Sequence, residues 1–450
     1  MLKRSTIESL FAREQATFEV NNPTSRELAA ATADSLLGGV PMNWMRRWPG
    51  TFPLFFSSAN GASVTDVDGN VYVDLCLGDT GAMCGHSPMA TVTAVRERVG
   101  RGITTMLPNE DSVWVGAELH RRFGLPTWQI SMTATDANRF ALRIARHITG
   151  RPKTVVFNWC YHGTVDETLG VLNDNGATIS RPGNVGPAVP LDLTTRVVEF
   201  NDVEALRHAL APGDVAAVLM EPALTNIGIV LPEPGYLDAV RALTREFKTL
   251  LIIDETHTIC TGPGGATRAW NLEPDMLTIG KPIAGGIPAA AYGMSAAVAA
   301  AATIPVTDTP SADVSGIGGT LSGNALALSA IRATLGEVLT DAAFVAMEQL
   351  AVRWTEGVQA VIHAHSLPWH VQRLGCRAEY WFCPPPRNGG EAAAASDHEL
   401  DSLLHLYCLN RGILMTPFHN MALMSPATTE ADVDRHTEVF AEAIGELLAG

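Results

Sequence analysis

Two short apolar runs, Leu250 to Ile253 and Met276 to Ile279, constrain the fold of this 450-residue chain more than any other feature. Each is an uncharged stretch of four residues, the pattern of a strand buried on both faces of a parallel sheet. Each also ends in chemistry. Asp254 follows the first run, and Gly280-Lys281 follows the second, with Pro282 and Gly285-Gly286 behind it. In open α/β sheets, side chains at the carboxyl ends of strands face the ligand crevice. A carboxylate and an amine, 27 positions apart (281 − 254), therefore belong on one edge of one sheet. An amine set among Gly, Pro and Ala, with no other cation near it in sequence, is placed to act as a nucleophile.

The rest of the chain keeps that rhythm. From Ala90 onward helical patterns (Thr91 to Val99, Ser112 to Arg122, Ala137 to Ile148, Val203 to Leu210, Tyr236 to Lys248) alternate with short strand patterns (Thr154 to Phe157, Arg196 to Glu199, Val215 to Leu219, Ala289 to Met294). This alternation predicts a mainly parallel sheet between helices. Before it come a helical stretch, Thr24 to Leu37, and a hairpin signal in which period-two alternation flanks Asp68-Gly69-Asn70. After Asn324 the pattern turns to long helices, Ala325 to Leu339, Ala343 to Ala364, Glu399 to Asn410 and Glu430 to Leu448, with a short strand near Gly412 to Met415. The interlude Cys383 to Asp397, rich in Pro, Gly and Ala, reads as a mobile surface loop.

Composition removes several function classes. A net charge of −16, with no basic cluster longer than Arg46-Arg47 or Arg121-Arg122, argues against nucleic-acid partners. Seven scattered cysteines without a C-x-x-C pair read as reduced thiols of a cytoplasmic protein and point to no metal site. The first twenty residues lack the apolar core of a signal peptide, and the uncharged run Pro282 to Val306 is too rich in Ala and Gly to read as a membrane span.

Four further motifs carry polar chemistry. Thr133 and Thr135, in Ile130 to Asn138, stand at the start of the helical run FALRIARHI, where backbone donors and hydroxyls suit a phosphate. Phe157 to Gly163 gathers aromatic residues and His162 at the exit of a strand. Glu221-Pro222 follows the strand that begins at Val215, and Gly318 to Asn324 reads GGTLSGN. The string LLIIDETH also matches the magnesium box of a DExH-type NTPase. That reading requires an upstream phosphate loop, and the chain's one Gly-Lys pair lies downstream, followed by Pro.

Taken in order, these motifs resemble the class III aminotransferases, fold-type I pyridoxal-phosphate enzymes that include the glutamate-1-semialdehyde aminomutases and the β-amino-acid transaminases. The resemblance implies a large domain, residues 89–325, with a seven-stranded, mainly parallel sheet between helices. A smaller α+β domain would form from residues 1–88 and 326–450. It implies that pyridoxal 5′-phosphate is held by Lys281, which then serves as acid and base, while Asp254 keeps the ring nitrogen protonated. Tyr161 would stack on the ring, with His162 beside it. Thr133, Ala134 and Thr135 stand in place of the family's Ser-Gly-Thr phosphate loop, Ala134 replacing the glycine. Thr256 occupies a position where most members have Val, and Glu221 would lie near the cofactor's hydroxyl. Thr320 would reach the phosphate of a neighbouring subunit, making a homodimer with shared active sites.

The activity implied is transamination between an amine or β-amino acid and a keto acid or aldehyde. An aminomutase, racemase or lyase on the same scaffold is the alternative. The family's two substrate arginines are displaced here. Trp44 stands at one position, with Arg46 and Arg47 close by, and Pro417-Phe418-His419-Asn420 occupies the other. Trp44, Arg46 and His419 are thus the substrate-side candidates, in a pocket suited to a bulky, partly apolar amine.

Overall fold

The computed structural model describes residues 2–302 and 315–450. The chain forms two compact units: Met1–Pro88 with Val345–Pro385 and Ala395–Gly450, and Met89–Phe344 with Pro386–Ala394.

The second unit is built on a seven-stranded sheet. Its strands lie in the order Thr127–Ser131, Ala290–Met294, Met276–Ile279, Leu250–Asp254, Val215–Met220, Lys153–Phe157, Thr195–Val198. Ala290–Met294 runs against both of its neighbours, so the other six share one direction. Val215–Met220 and Met276–Ile279 are buried at every position, as strands covered by helices on both faces must be. The helices that follow strands are amphipathic and capped by their own sequence. Thr133 accepts from Asp136 N at the head of Ala134–Thr149, and Asp202 accepts from Ala205 N at the head of Val203–Leu210.

Two segments sit differently from the sequence reading. The helix Ala325–Ala333 packs on Met89–Val99 and Asp111–Phe123, so residues up to Phe344 lie in the second unit. Asp111 fixes this packing, accepting from Ser329 Oγ at 2.8 Å and Arg332 Nη1 at 2.9 Å. The interlude read as a mobile loop contains the helix Gly389–Ala394, with Ala392 buried. A Cβ on Gly389 would lie 2.2 Å from Asn158 O, and Asn201 Nδ2 donates to Arg387 O at 2.8 Å. The small residues that look like low-complexity loop are what let this backbone approach a strand exit.

The first unit joins the two ends of the chain. The hairpin Ser63–Asp66 and Val71–Asp74 pairs on one side with Phe56–Asn60 and on the other, in parallel, with Ile413–Leu414. A separate antiparallel sheet, His370–Leu374, Arg377–Trp381 and Met421–Leu423, has no counterpart in the sequence reading. The N-terminal helices run Arg4–Asn21 and Pro23–Thr32, the first of them also unanticipated. No helix among the described residues is long and apolar enough to cross a membrane.

Candidate active site

Adjacent strands bring the two sequence-marked groups to one edge of the sheet. Leu250–Asp254 and Met276–Ile279 are parallel neighbours, with Asp254 registered against Thr278, so Lys281 leaves the sheet three residues beyond the level of Asp254. The chain turns sharply at Gly280. A Cβ there would lie 3.0 Å from Ala134 Cβ and 3.1 Å from Ala134 N, so the exit of the lysine strand is pressed against the head of the helix Ala134–Thr149. Lys281 itself has φ 49°, the left-handed region that costs a side-chain-bearing residue about 1–3 kcal/mol and that recurs at functional sites. Its Nζ lies 2.5 Å from Nε2 of the buried His257. At that separation one nitrogen carries the shared proton and the other accepts it. Sequence reasoning passed over His257 as part of the Asp-Glu-x-His string, although a histidine three residues past a strand-tip aspartate was a visible signal.

Asp254 is enclosed by donors. Oδ2 accepts from Asn138 Nδ2 and from His162 Nδ1, both at 2.9 Å, and Oδ1 accepts from Thr256 N at 3.0 Å. Burial works against its charge. The His162 contact, together with Thr256 and Asn138, outweighs that and brings the carboxyl down to about 2. For His162, burial likewise opposes protonation, and Cys160 and Asp254 outweigh it, holding the ring cationic. Asn138 was given no role by the sequence. It ties the group together, donating to His162 O at 3.1 Å and accepting from Thr278 Oγ1 at 2.6 Å. Glu255 faces away from this cluster. Its oxygens accept from Ala266 N, Thr267 N and Thr258 Oγ1, which closes the loop that carries His257.

The remaining motifs of this unit converge on the same edge. A Cβ on Gly163 would lie 2.2 Å from Thr135 Oγ1, and Thr164 N donates to that oxygen, so the turn holding Tyr161 and His162 packs on the helix head. Ala134 is the first helical residue and has no left-handed φ, so its replacement of a glycine brings no strain. Glu221 is buried; Thr225 Oγ1 and Asn226 Nδ2 donate to it, and burial pushes its carboxyl up. Thr320, by contrast, is exposed, on the turn whose Asn324 caps the next helix through Ala327 N.

The three substrate-side candidates lie in the first unit. Trp44 packs on Phe418 with ring centroids 5.0 Å apart, and Phe418 meets His419 at the same distance. His419 is buried and bonded through Nδ1 to Glu379 at 3.2 Å, and Glu379 is also paired with the buried Arg377. Arg46 is exposed, its guanidinium laid along Gly38.

A seven-stranded sheet in this order, with a lysine and a charged aspartate on adjoining strand ends, is the architecture of fold-type I pyridoxal-phosphate enzymes. The comparisons carry this further: the chain belongs to the class-III aminotransferase family, whose model matches residues 44–444. A glutamate-1-semialdehyde 2,1-aminomutase of Sorangium cellulosum is 35% identical over 430 residues, covering 94% of this chain and 96% of that one. A glutamate-1-semialdehyde-aminomutase from Pseudomonas aeruginosa PAO1, solved in complex with PMP, is 50% identical with a TM-score of 0.97 over 99% of each chain. A β-phenylalanine aminotransferase from Variovorax paradoxus is 28% identical with a TM-score of 0.85 over 98% of each. Membership in this family sets the DExH reading aside.

The residues present fit pyridoxal phosphate. Asp254 is a buried anion suited to a protonated ring nitrogen, and beside it Thr256 Oγ1 is buried with no hydrogen-bond partner among the described residues. The helix head at Ala134 and Thr135 supplies N–H groups suited to a phosphate.

Proposed function

We propose that this chain moves an amino group by the aminomutase reaction, between neighbouring carbons of a carboxylate-bearing amino aldehyde of the glutamate-1-semialdehyde kind. The likeness to glutamate-1-semialdehyde aminomutases over nearly the whole chain carries this reading. Lys281, Asp254, Tyr161, His162, Glu221, Thr256 and the Thr133 to Thr135 helix head form the cofactor side of the site. Bound pyridoxal phosphate supplies an electron sink that lets a carbon beside nitrogen release its proton. The chain's own work is proton handling. Lys281 Nζ takes the proton from the carbon and returns it, and His257 Nε2, 2.5 Å away, is the hydrogen-bond partner that orients the amine. Asp254 stays charged throughout, and the Asn138 and His162 bonds keep its carboxylate from rotating.

The 28% likeness to a β-phenylalanine aminotransferase supports intermolecular transamination as the second reading. One incubation separates the two. Cofactor-loaded protein given glutamate-1-semialdehyde and no keto acid is expected to form the isomer 5-amino-4-oxopentanoate, of unchanged mass, over many turnovers. Product only when a keto acid is added would favour transamination instead.

We also infer that the working unit is a homodimer in which Thr320 serves the partner's cofactor. Thr320 is exposed, and large apolar side chains are exposed in the same unit at Met106, Leu107, Val113 and Leu321. Ala325 N bonds to Ile103 O, which ties these two segments together. Such a surface is usually covered by a partner. Mixing a Lys281→Ala chain with a Thr320→Ala chain is expected to restore cofactor affinity at the one site that has both groups. No recovery after subunit exchange would show that each chain uses its own threonine.

A further inference from the structure

We propose that Arg181 receives the carboxylate of the amino substrate, and so makes the site selective for amino compounds bearing a carboxylate over plain amines. This deepens the amino-transfer reading and rests on it.

Arg181 follows the two-stranded hairpin Gly170–Leu172 and Thr178–Ser180, which returns the chain to the turn holding Tyr161. Its own N–H donates to Leu169 O at 2.8 Å, closing the hairpin. Its guanidinium is held from two sides. Nη1 donates to Cys160 O at 2.9 Å, and the fork lies over the Trp159 ring, 5.1 Å from the centroid. The acceptor belongs to the residue next to Tyr161, so the cation stands one residue from the ring expected to stack on the cofactor. Trp159 has φ 64°, a conformation that a bulky side chain adopts only when its surroundings impose it.

Among the described residues, the contrast with the other buried and half-buried arginines of this unit points to an external anion. Arg98, Arg122, Arg196 and Arg241 each face a carboxylate within 3.4 Å. Arg151 directs Nη1 to the carbonyls of Val215, Phe247 and Lys248. Among the described residues Arg181 has no ion pair and makes one side-chain hydrogen bond, while a guanidinium carries five donors. It is half-buried, and burial lowers its pKa, with Cys160, Tyr161 and Glu221 acting in the opposite direction. Glu221 is itself buried and bonded by Thr225 and Asn226, so it does not reach Arg181 as a salt-bridge partner. A planar fork, stacked, pre-ordered and short of counter-charge beside Tyr161, suits bidentate capture of a carboxylate.

The test uses two amines that differ in one group, 5-aminopentanoate and pentan-1-amine, in which a methyl replaces the carboxylate. Their reaction with cofactor-loaded protein is followed by absorbance, and binding of pentanoate alone is measured by calorimetry. A charged bidentate contact is expected to favour 5-aminopentanoate by roughly thirtyfold in KM. Arg181→Gln is expected to bring that ratio close to one and to weaken pentanoate binding in parallel, and Arg181→Lys to keep part of both. If Arg181 only clamps its loop, Arg181→Gln impairs both amines equally, and the assignment falls. It falls also if Arg46→Ala removes the preference while Arg181 is intact. If pentanoate binding depends on Arg181 while the wild type turns over neither amine nor glutamate-1-semialdehyde, the carboxylate assignment stands and the amino-transfer reading fails.

Discussion

If the proposed function holds, Lys281→Ala is expected to slow turnover of glutamate-1-semialdehyde by about ten-thousandfold, because one change removes both the proposed covalent anchor and the proposed proton carrier. The chain has four lysines. Lys3 donates to Gly450 O and Lys153 to Asp192 O, while Lys248 is exposed. Only Lys281 sits on a strand exit, pressed against a helix head and in contact with an imidazole. Borohydride reduction of the cofactor-loaded wild type followed by peptide mapping therefore has four candidate sites and one expected answer. Label on Lys3, Lys153 or Lys248 would sink the assignment. The variant should keep its fold, since Lys281 is half-buried and lies past the end of its strand rather than within it.

How much of this was legible beforehand follows from where the charges lie. The second unit could be read because its strands are uninterrupted apolar runs and its functional groups sit just past their ends; Met276 to Ile279 and Val203 to Leu210 match the structure at both bounds. The first unit hid its elements behind buried charges. Arg4–Asn21 carries Ile7, Glu14 and Phe18 on its buried face, so its apolar stripe is broken by an acid. That acid is tolerated because Arg411 and Asn410, nearly 400 residues away, reach it at 3.0 and 2.8 Å. Arg377–Trp381 likewise alternates charged and apolar residues, yet is buried throughout because Arg377 pairs with Glu379, which is also bonded to His419 from a distant segment. Partners so distant in sequence leave no periodic trace. His257 and Asn138 went unassigned for a related reason. Each acts through a neighbour on another strand or helix; the place of His257 just past the strand-tip aspartate was visible in the sequence, but its partner and that of Asn138 are revealed only by the sheet order.

Asp254→Asn is the second large expected effect. The amide keeps the shape and removes the charge, so a ring nitrogen loses its counter-ion in a dry site. A few kcal/mol of electrostatic stabilisation are lost, slowing turnover by roughly a hundred- to ten-thousandfold. The same change strands the cationic His162, which is fully buried. Breaking a buried ion pair by removing one partner costs roughly 3–5 kcal/mol unless the survivor neutralises. Here His162 is expected to lose its proton, and this gives the prediction a pH signature in the cofactor-free protein. In the wild type the carboxyl falls from 3.8 to about 2 on folding, so its contribution is present above 3.8 and is lost as pH drops toward 2. The histidine is raised above its ordinary 6.5, so its contribution is complete below 6.5 and fades as pH rises toward the folded value. In the variant a neutral His162 must compete with an unfolded chain that gains a proton below 6.5. The stability gap between wild type and Asp254→Asn should therefore widen as pH falls through 6.5 and go on widening until about 3.8, below which the wild type loses its own carboxylate contribution and the gap stops growing. Melting curves across that range read it directly. A gap independent of pH would show that Asp254 and His162 are not a charged pair, and near-normal turnover would show that another acid faces the ring nitrogen.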